Sequence, residues 1–520
     1  MVGYKYIFHG EEEVTSQLPT APEYRVNVEL EEVITRKVTR KCNTIDSVWR
    51  FIESQSIYKG AMETVKDVAL SFTLFKLLKR RLCGYRIGEA GLAKTLDFVL
   101  NGLISEEVNY VRAFGVIEME LAFLYDFLYT RYDMESLRCK GWAFLFVGLT
   151  VTIWSISGAF SRHYHHSNLE QRVHETDVTH WVTIVLLIVV LALSLAPLNI
   201  VLLPSNYSMV GMWDIVDDLC HPTEHFTWVQ NDGSRIAGDA KKSWQRALGQ
   251  YSLLHNFHYH PWNVLPFLSL GLVEATREGQ KAGQKIRLRK SVISRVLSGF
   301  KESNGQLQDG QSAIARNQLG SQFSWACALP THIHKILVWH IGTTIAMDSP
   351  QDPLTGSDDY HVSKTLSNYC AYLVAFVPDM LPGHGYDTQR IFDAVVMEAR
   401  GSLTGCDTVS SRCEKLMMMV LPSNRRCNIL ELGGRLGREL RGVVPEARRW
   451  KVLADFWADF ILFLAPSSNA DIHAEKLAAG GEFMTHLWHC SHMPASWSVP
   501  LTLTAWEVIM VTLHMILLSE

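Results

Sequence analysis

A chain of 520 residues has room for more than one domain, and a net charge of −4 with 20% charged residues lacks the clustered basic footprint of a nucleic-acid-binding module. Ten cysteines (Cys42, Cys83, Cys139, Cys220, Cys327, Cys370, Cys406, Cys413, Cys427 and Cys490) form no CxxC pair, which argues against a zinc ribbon or redox motif and fits reduced thiols facing cytosol. No cleavable signal peptide opens the chain: a short apolar patch, Tyr4 to Phe8, gives way to Glu11, Glu12 and Glu13.

Residues 1–40 read as irregular, with Pro19 and Pro22 as breakers. Residues 41–140 read as amphipathic helices: one from about Ile45, one over Ala61 to Leu82, and helical spacing at Leu92, Leu96, Val99 and Leu103. The stretch from Arg112 to Thr130 is apolar yet holds Arg112, Glu118, Glu120 and Asp126. Glu118 and Glu120 cannot share one helix face, so paired-carboxylate chemistry is a poor reading. A helix lying against the membrane or the hairpin that follows it, with its polar groups turned to water, is the expectation.

Two long apolar runs follow. Between Lys140 and Arg162 lie 21 residues without charge or histidine, and between His180 and Asp214 lie 33. A bilayer core of about 30 Å needs roughly 20 apolar residues of helix, so residues 142–162 and 181–203 predict a transmembrane hairpin. Trp142 and Trp181 stand where interfacial indoles sit. Arg131, Arg138 and Lys140 ahead of the hairpin, against Arg162 and Arg172 in its link, place both flanks in the cytosol. Residues 277–301 carry eight Lys or Arg and one acid, Glu278, as a juxtamembrane segment contacting anionic lipid would; a solvated helix face is the alternative.

Glu302 to Gln322 is rich in Gly, Ser, Gln and Asn and reads as a linker. The remainder shows helical periodicity over 331–346, 360–376, 387–400, 409–420, 427–441, 449–464 and 470–492, with no persistent strand alternation. Within the last stretch Gly480-Gly481, after the helix containing His473 and Leu477, reads as a C-cap and turn before another helix. The expected fold class is therefore all-α: a transmembrane helical hairpin plus a C-terminal soluble all-helical domain. The expected boundaries are an irregular segment at 1–40, an amphipathic region at 41–140 and the hairpin at 141–204. A juxtamembrane region at 205–322, the helical domain at 323–493 and an apolar tail at 494–520 complete them.

Several segments resemble a known family. Arg112, Ala113 and Phe114, then Val116, Glu118, Glu120, Leu121, Phe123, Tyr125, Asp126, Leu128, Tyr129 and Thr130, resemble the signature RAF-x-V-x-E-x-EL-x-F-x-YD-x-LYT of a plant family of uncharacterised membrane proteins. In that family a domain of unknown function 4220 precedes a domain of unknown function 594. Trp244 with Gly249 to Leu254 resembles a later segment, and Ile336 to Thr343, holding Trp339 and His340, resembles its ILLWHIAT motif. Leu366 to Tyr369, with Pro378 to Pro382, resembles LS-x-Y…RP-x-MLP; His473 to Leu477, with Gly480, Gly481, Glu482 and Phe483, resembles HA-x-x-L…GGE. The resemblance implies plant origin and a membrane location, and no reaction. The tail departs from the family ending: its apolar run from Leu501 to Leu518 is broken by Glu507 and His514, which makes a third span costly.

Histidine is the enriched chemical group, with 21 copies. His163, His165 and His166 in the hairpin link, and His486 with His489 at helical spacing, are the candidate metal ligands. Histidine boxes of the HxxHH kind and HExxH are absent. Leu432 to Gly437 superficially resembles a glycine-rich nucleotide loop, but its flanks read as helix. His340, amid Ile336, Leu337, Val338 and Ile341, reads as a satisfied core histidine. The functional expectation is a non-enzymatic scaffold or regulatory adaptor in a membrane, multi-pass, without catalytic residues or cofactors. Its partners are the bilayer and another protein, not nucleic acid. The alternative is a metal-dependent membrane enzyme or metal-handling protein using the histidine clusters.

Overall fold

The computed structural model describes residues 7–9, 43–54, 62–82, 97–106, 110–129, 150, 172–173, 176–177, 182, 185, 246–262, 275–348, 356–419, 427–466 and 470–492. The two apolar runs lie almost wholly outside the described residues, as do His163, His165, His166 and the tail. Among the described residues, no helix is long and apolar enough to cross a membrane. The chain divides into two compact units, residues 1–121 with 241–520, and residues 122–240. In the second, β3 (Arg172–Val173) pairs antiparallel with β4 (Thr176–Asp177).

The first unit is helical. At its N-terminal end β1 (Ile7–His9) pairs with β2 (Asn43–Thr44), which leads into α1 (Ile45–Ser54). α1 buries Ile45, Val48 and Ile52 against α2 (Met62–Leu82), a three- and four-residue spacing that makes one apolar stripe. After a π-helical turn at Phe98–Leu103 comes α3 (Tyr110–Tyr129), whose Ala113, Phe114, Val116, Ile117 and Leu121 are buried.

β5 (Ala247–Leu248), the single-turn α4 (Leu253–Asn256) and β6 (Ile286–Arg287) precede α5 (Lys290–Glu302). Next come α6 (Gln311–Arg316), α7 (Gly320–Cys327), α8 (His332–Met347) and α9 (Asp358–Phe376). α10 (Gly385–Ser402), α11 (Val409–Met418), α12 (Ile429–Arg441), α13 (Glu446–Leu464), α14 (Ala470–Ala478) and α15 (Phe483–His492) complete the unit.

α8 is the centre. Every residue from Lys335 to Ala346 is buried, as expected of a helix enclosed on all sides. Thr331 caps its start by accepting from the His334 N–H. It packs on α9 and α12; α13 lies on α9 and is covered by α5 and α6.

Where α8 crosses α12, glycines allow close approach. A Cβ on Gly433 would lie 2.6 Å from Ile341, one on Gly437 2.6 Å from Ile345, and one on Gly434 2.2 Å from the Leu416 carbonyl oxygen. The glycine-rich segment 432–437 is thus a helix-packing surface, stopped by neither loop nor strand. Gly437→Val is expected to destabilise the protein by about 1–3 kcal/mol through overpacking, read as a lowered urea midpoint. Gly115→Ala is the control, because its new methyl meets nothing within 4 Å. An unchanged midpoint for Gly437→Val would show that the two helices can move apart freely.

One expectation is corrected here and one is met. Residues 302–322 are not a linker: α6 and the start of α7 lie there, with Ala313 and Ile314 buried and α6 packed on α13. Its glycine is structural, since Gly310 has φ +84° and the Phe456 ring fills the place of its Cβ. The helical stretch 470–492 is divided where the sequence places a C-cap and turn, after the helix containing His473 and Leu477. Gly480 (φ +102°) and Gly481 (φ +83°) end α14, donating to the carbonyls of Leu477 at 3.2 Å and Lys476 at 2.8 Å in a Schellman turn.

Candidate functional site

The polar side chains of the motif segments turn inward and meet one another. His340 on α8 is fully buried. Its Nε2 accepts from the Leu253 N–H at 3.2 Å, so the neutral ring carries its proton on Nδ1, which faces Ser367 Oγ at 3.0 Å. One histidine thus ties α4, α8 and α9 together. Burial, then the nearby His255, holds it down at about 3.

The sign of the resulting pH dependence follows. The unfolded chain takes up this proton near 6.5 and the folded chain near 3. The stability from neutral His340 is therefore complete above 6.5 and falls by about 1.4 kcal/mol per pH unit below it. His340→Gln is expected to flatten the acid limb of stability by that slope relative to wild type, in urea unfolding between neutral pH and about pH 4. Parallel pH curves for the two proteins would contradict this assignment.

Glu482, between α14 and α15, is the second hub. Tyr369 OH donates to its Oε2 at 3.1 Å and Tyr372 OH to its Oε1 at 3.2 Å. The Tyr369 oxygen in turn accepts from the Met484 N–H at 2.9 Å, and His486 Nδ1 lies 2.8 Å from the Glu482 carbonyl oxygen. Burial raises the Glu482 carboxyl, against the two tyrosine hydrogen bonds. His486 is pushed down to about 3 by burial and stacks on Phe114 of α3 with centroids 5.4 Å apart. His473 is likewise held at about 3 by burial; it stacks on Trp488 at 4.5 Å, and its Nδ1 meets Thr485 Oγ1 at 3.3 Å.

The third hub joins the chain's extremes. Arg246 makes a two-pronged contact with Glu118, Nε donating to Oε1 at 2.6 Å and Nη2 to Oε2. Glu120 and His489 are both buried, and His489 Nε2 lies 2.7 Å from Glu120 Oε2. The contact is short but poorly directed: neither the Glu120 oxygens nor the His489 nitrogens have a hydrogen-bond partner among the described residues. Burial raises the Glu120 carboxyl, and His489 opposes the shift. The expectation that α3 turns its carboxylates to water is thus overturned for Glu118 and Glu120, because Arg246 and His489 face them from within the same unit. Arg112 does reach a half-exposed position, gripping Asp67 of α2 through Nε at 2.9 Å and Nη2 at 2.7 Å.

Of the remaining motif residues, Trp339 is buried and donates from Nε1 to the Ala326 carbonyl at 3.1 Å. Pro378 opens a buried 3₁₀ turn, and Pro382 follows it, half-buried. Tyr125 is half-buried in the last turns of α3, the helix that also contains Asp126. His486 and His489 share α15 but belong to different contacts. Among the described residues, no group of three His, Cys, Asp or Glu side chains could hold a metal ion.

Sequence reasoning missed Arg246, Tyr372 and Thr485, and placed Ser367 in a motif without giving it a partner. Tyr372 could have been found, three residues after Tyr369 on one helix face. Arg246 carries no local signal, since its partner lies 128 residues away.

The family described as a domain of unknown function, DUF4220, matches residues 1–257, and the one described as a protein of unknown function, DUF594, matches residues 444–493. No curated protein and no solved structure matches the chain. The Glu118–Arg246 pair lies within the first match, Glu120–His489 and Phe114–His486 join the two, and His340 and Tyr369 come from the stretch between. Motifs and matches agree in order and position: the chain belongs to the family in which DUF4220 is followed by DUF594.

Proposed function

We propose that this chain is an integral, multi-pass membrane protein, as its resemblance to a plant membrane family implies, and that it works as a non-enzymatic scaffold or regulatory adaptor. The hairpin at 142–162 and 181–203 anchors it with both flanks in the cytosol, and the helical unit recruits a protein partner. One observation carries the adaptor reading: the motif side chains His340, Tyr369, Glu482, Glu118 and Glu120 engage other segments of the same unit. Groups committed to internal contacts hold an architecture in register, which is what a recruiting module requires of its interior.

Two measurements on the full-length protein test the reading. Expressed in cells, it remains with membranes through an alkaline carbonate wash; release into the supernatant would refute the anchor. Incubated with a metabolite extract, the detergent-solubilised protein leaves every component unchanged by mass spectrometry. Heat-sensitive consumption of any metabolite would refute the adaptor role.

A further inference from the structure

The basic segment 277–301 divides into two groups. Arg277 donates to Asp393 at 2.7 Å and to Gln389 at 2.6 Å; Arg295 bridges Asp455, at 2.8 Å, and Asp359; Lys301 reaches the Ser105 carbonyl. These three are internal struts. Lys281, Lys285, Arg287, Arg289 and Lys290 are exposed and have no ion-pair partner among the described residues.

The backbone displays three of them, Lys285, Arg287 and Arg289, in alternation, with Lys281 before them and Lys290 at the start of α5. β6 pairs antiparallel with β5, Gly283 N–H donates to the Gln250 carbonyl at 2.9 Å, and Leu288 N–H donates to the Arg246 carbonyl at 2.7 Å. This pins an extended segment in which Leu288 is buried and Ile286 half-buried. Alternation then turns Lys285, Arg287 and Arg289 to the other side, roughly 6.6 Å apart. Lys364 of α9 is also exposed, and it adds to Arg289 around His361. Partial burial and these two cations hold His361 below its ordinary value, against the pull of Asp358. Of the other nearby carboxylates, Glu482 accepts from its two tyrosines and also feels the charge of Lys285, without an ion pair between them, and Glu278 is engaged with Arg400 and His260.

We infer that the row Lys281, Lys285, Arg287, Arg289 and Lys290, with Lys364 beside it, docks on the anionic headgroups of a lipid bilayer, an inference that rests on the membrane reading above. A pinned row of exposed cations without ion-pair partners among the described residues matches a plane of phosphates and carboxylates. Each cation near such a surface strengthens partitioning about fivefold. No residue of 281–290 is aromatic, and the Tyr259 ring beside the row is already faced by Lys281 Nζ at 5.9 Å; single-stranded nucleic acid would need a succession of free rings on which to stack, so the row favours lipid.

The test is hydrogen exchange of the full-length protein in nanodiscs of phosphatidylcholine alone or with about 30% phosphatidylserine, an anionic lipid. Peptides covering 281–290 are expected to exchange more slowly only on the anionic discs. That protection should vanish in high salt and in the neutralising variant Lys285→Gln/Arg287→Gln/Arg289→Gln, whose thermal unfolding stays at wild type. Equal exchange on both discs would overturn the proposal. A chain that fails to insert refutes the membrane reading alone, and sedimentation with added phosphatidylserine vesicles then decides the row. Binding that falls about 100-fold in the triple variant supports it; no binding overturns it. Protection of the row by added RNA without any lipid preference would overturn it as well.

Discussion

His489→Leu, with Glu120 left in place, is expected to destabilise the protein by about 3–5 kcal/mol, because a buried carboxyl loses the imidazole that faces it among the described residues. Glu120 is 1% exposed and His489 4%, so water does not replace the lost partner. The double variant Glu120→Leu/His489→Leu is expected to recover most of the loss, since apolar side chains of similar size replace a buried pair at little cost or with a gain. The interaction energy in the cycle is then at least about 2 kcal/mol. Urea unfolding of the solubilised full chain measures it. Two single effects that simply add would show that the 2.7 Å approach couples nothing. Coupling would establish that the DUF4220 and DUF594 segments stabilise each other directly.

Trp339→Ala is the second large effect, about 3–5 kcal/mol. The indole is fully buried, stacked on Phe456 with centroids 3.6 Å apart and tilted against Phe323 at 6.2 Å. Truncation leaves a cavity between α8 and α13 and orphans the Ala326 carbonyl. Trp339→Phe separates the two losses. It keeps a ring in the cavity but removes the hydrogen bond, so about 1–3 kcal/mol of the effect should remain. If alanine cost no more than phenylalanine, packing between these helices would not be what Trp339 supplies.

The parts of the fold readable in sequence are those written in local spacing. α8, α9, α10, α12 and α13 start and end within a few residues of the expected ranges, because their apolar positions recur every three to four residues and Thr331, Ser357 and Asn428 supply helix caps. The family motifs were readable too, down to individual residues such as Glu120, His340 and Glu482. The core role of His340 followed from its apolar neighbours, although its partners did not.

Tertiary structure alone decided what those residues meet. Composition marked 302–322 as linker, since polar residues and glycine are common in loops. Yet Gly310 is there because Phe456 occupies the space of a side chain. The helical flanks of Gly433 and Gly437 already spoke against a phosphate loop, but a sequence records a missing side chain without recording what approaches it; here Ile341 and Ile345 do. Glu120 and His489 lie 369 residues apart (489 − 120), and no periodicity links them. Helical spacing, capping and turn chemistry act over a few residues and are written in the sequence. Pairings such as Arg246 with Glu118 and His489 with Glu120 exist only after the helices have packed, because desolvation by that packing gives each partner its importance.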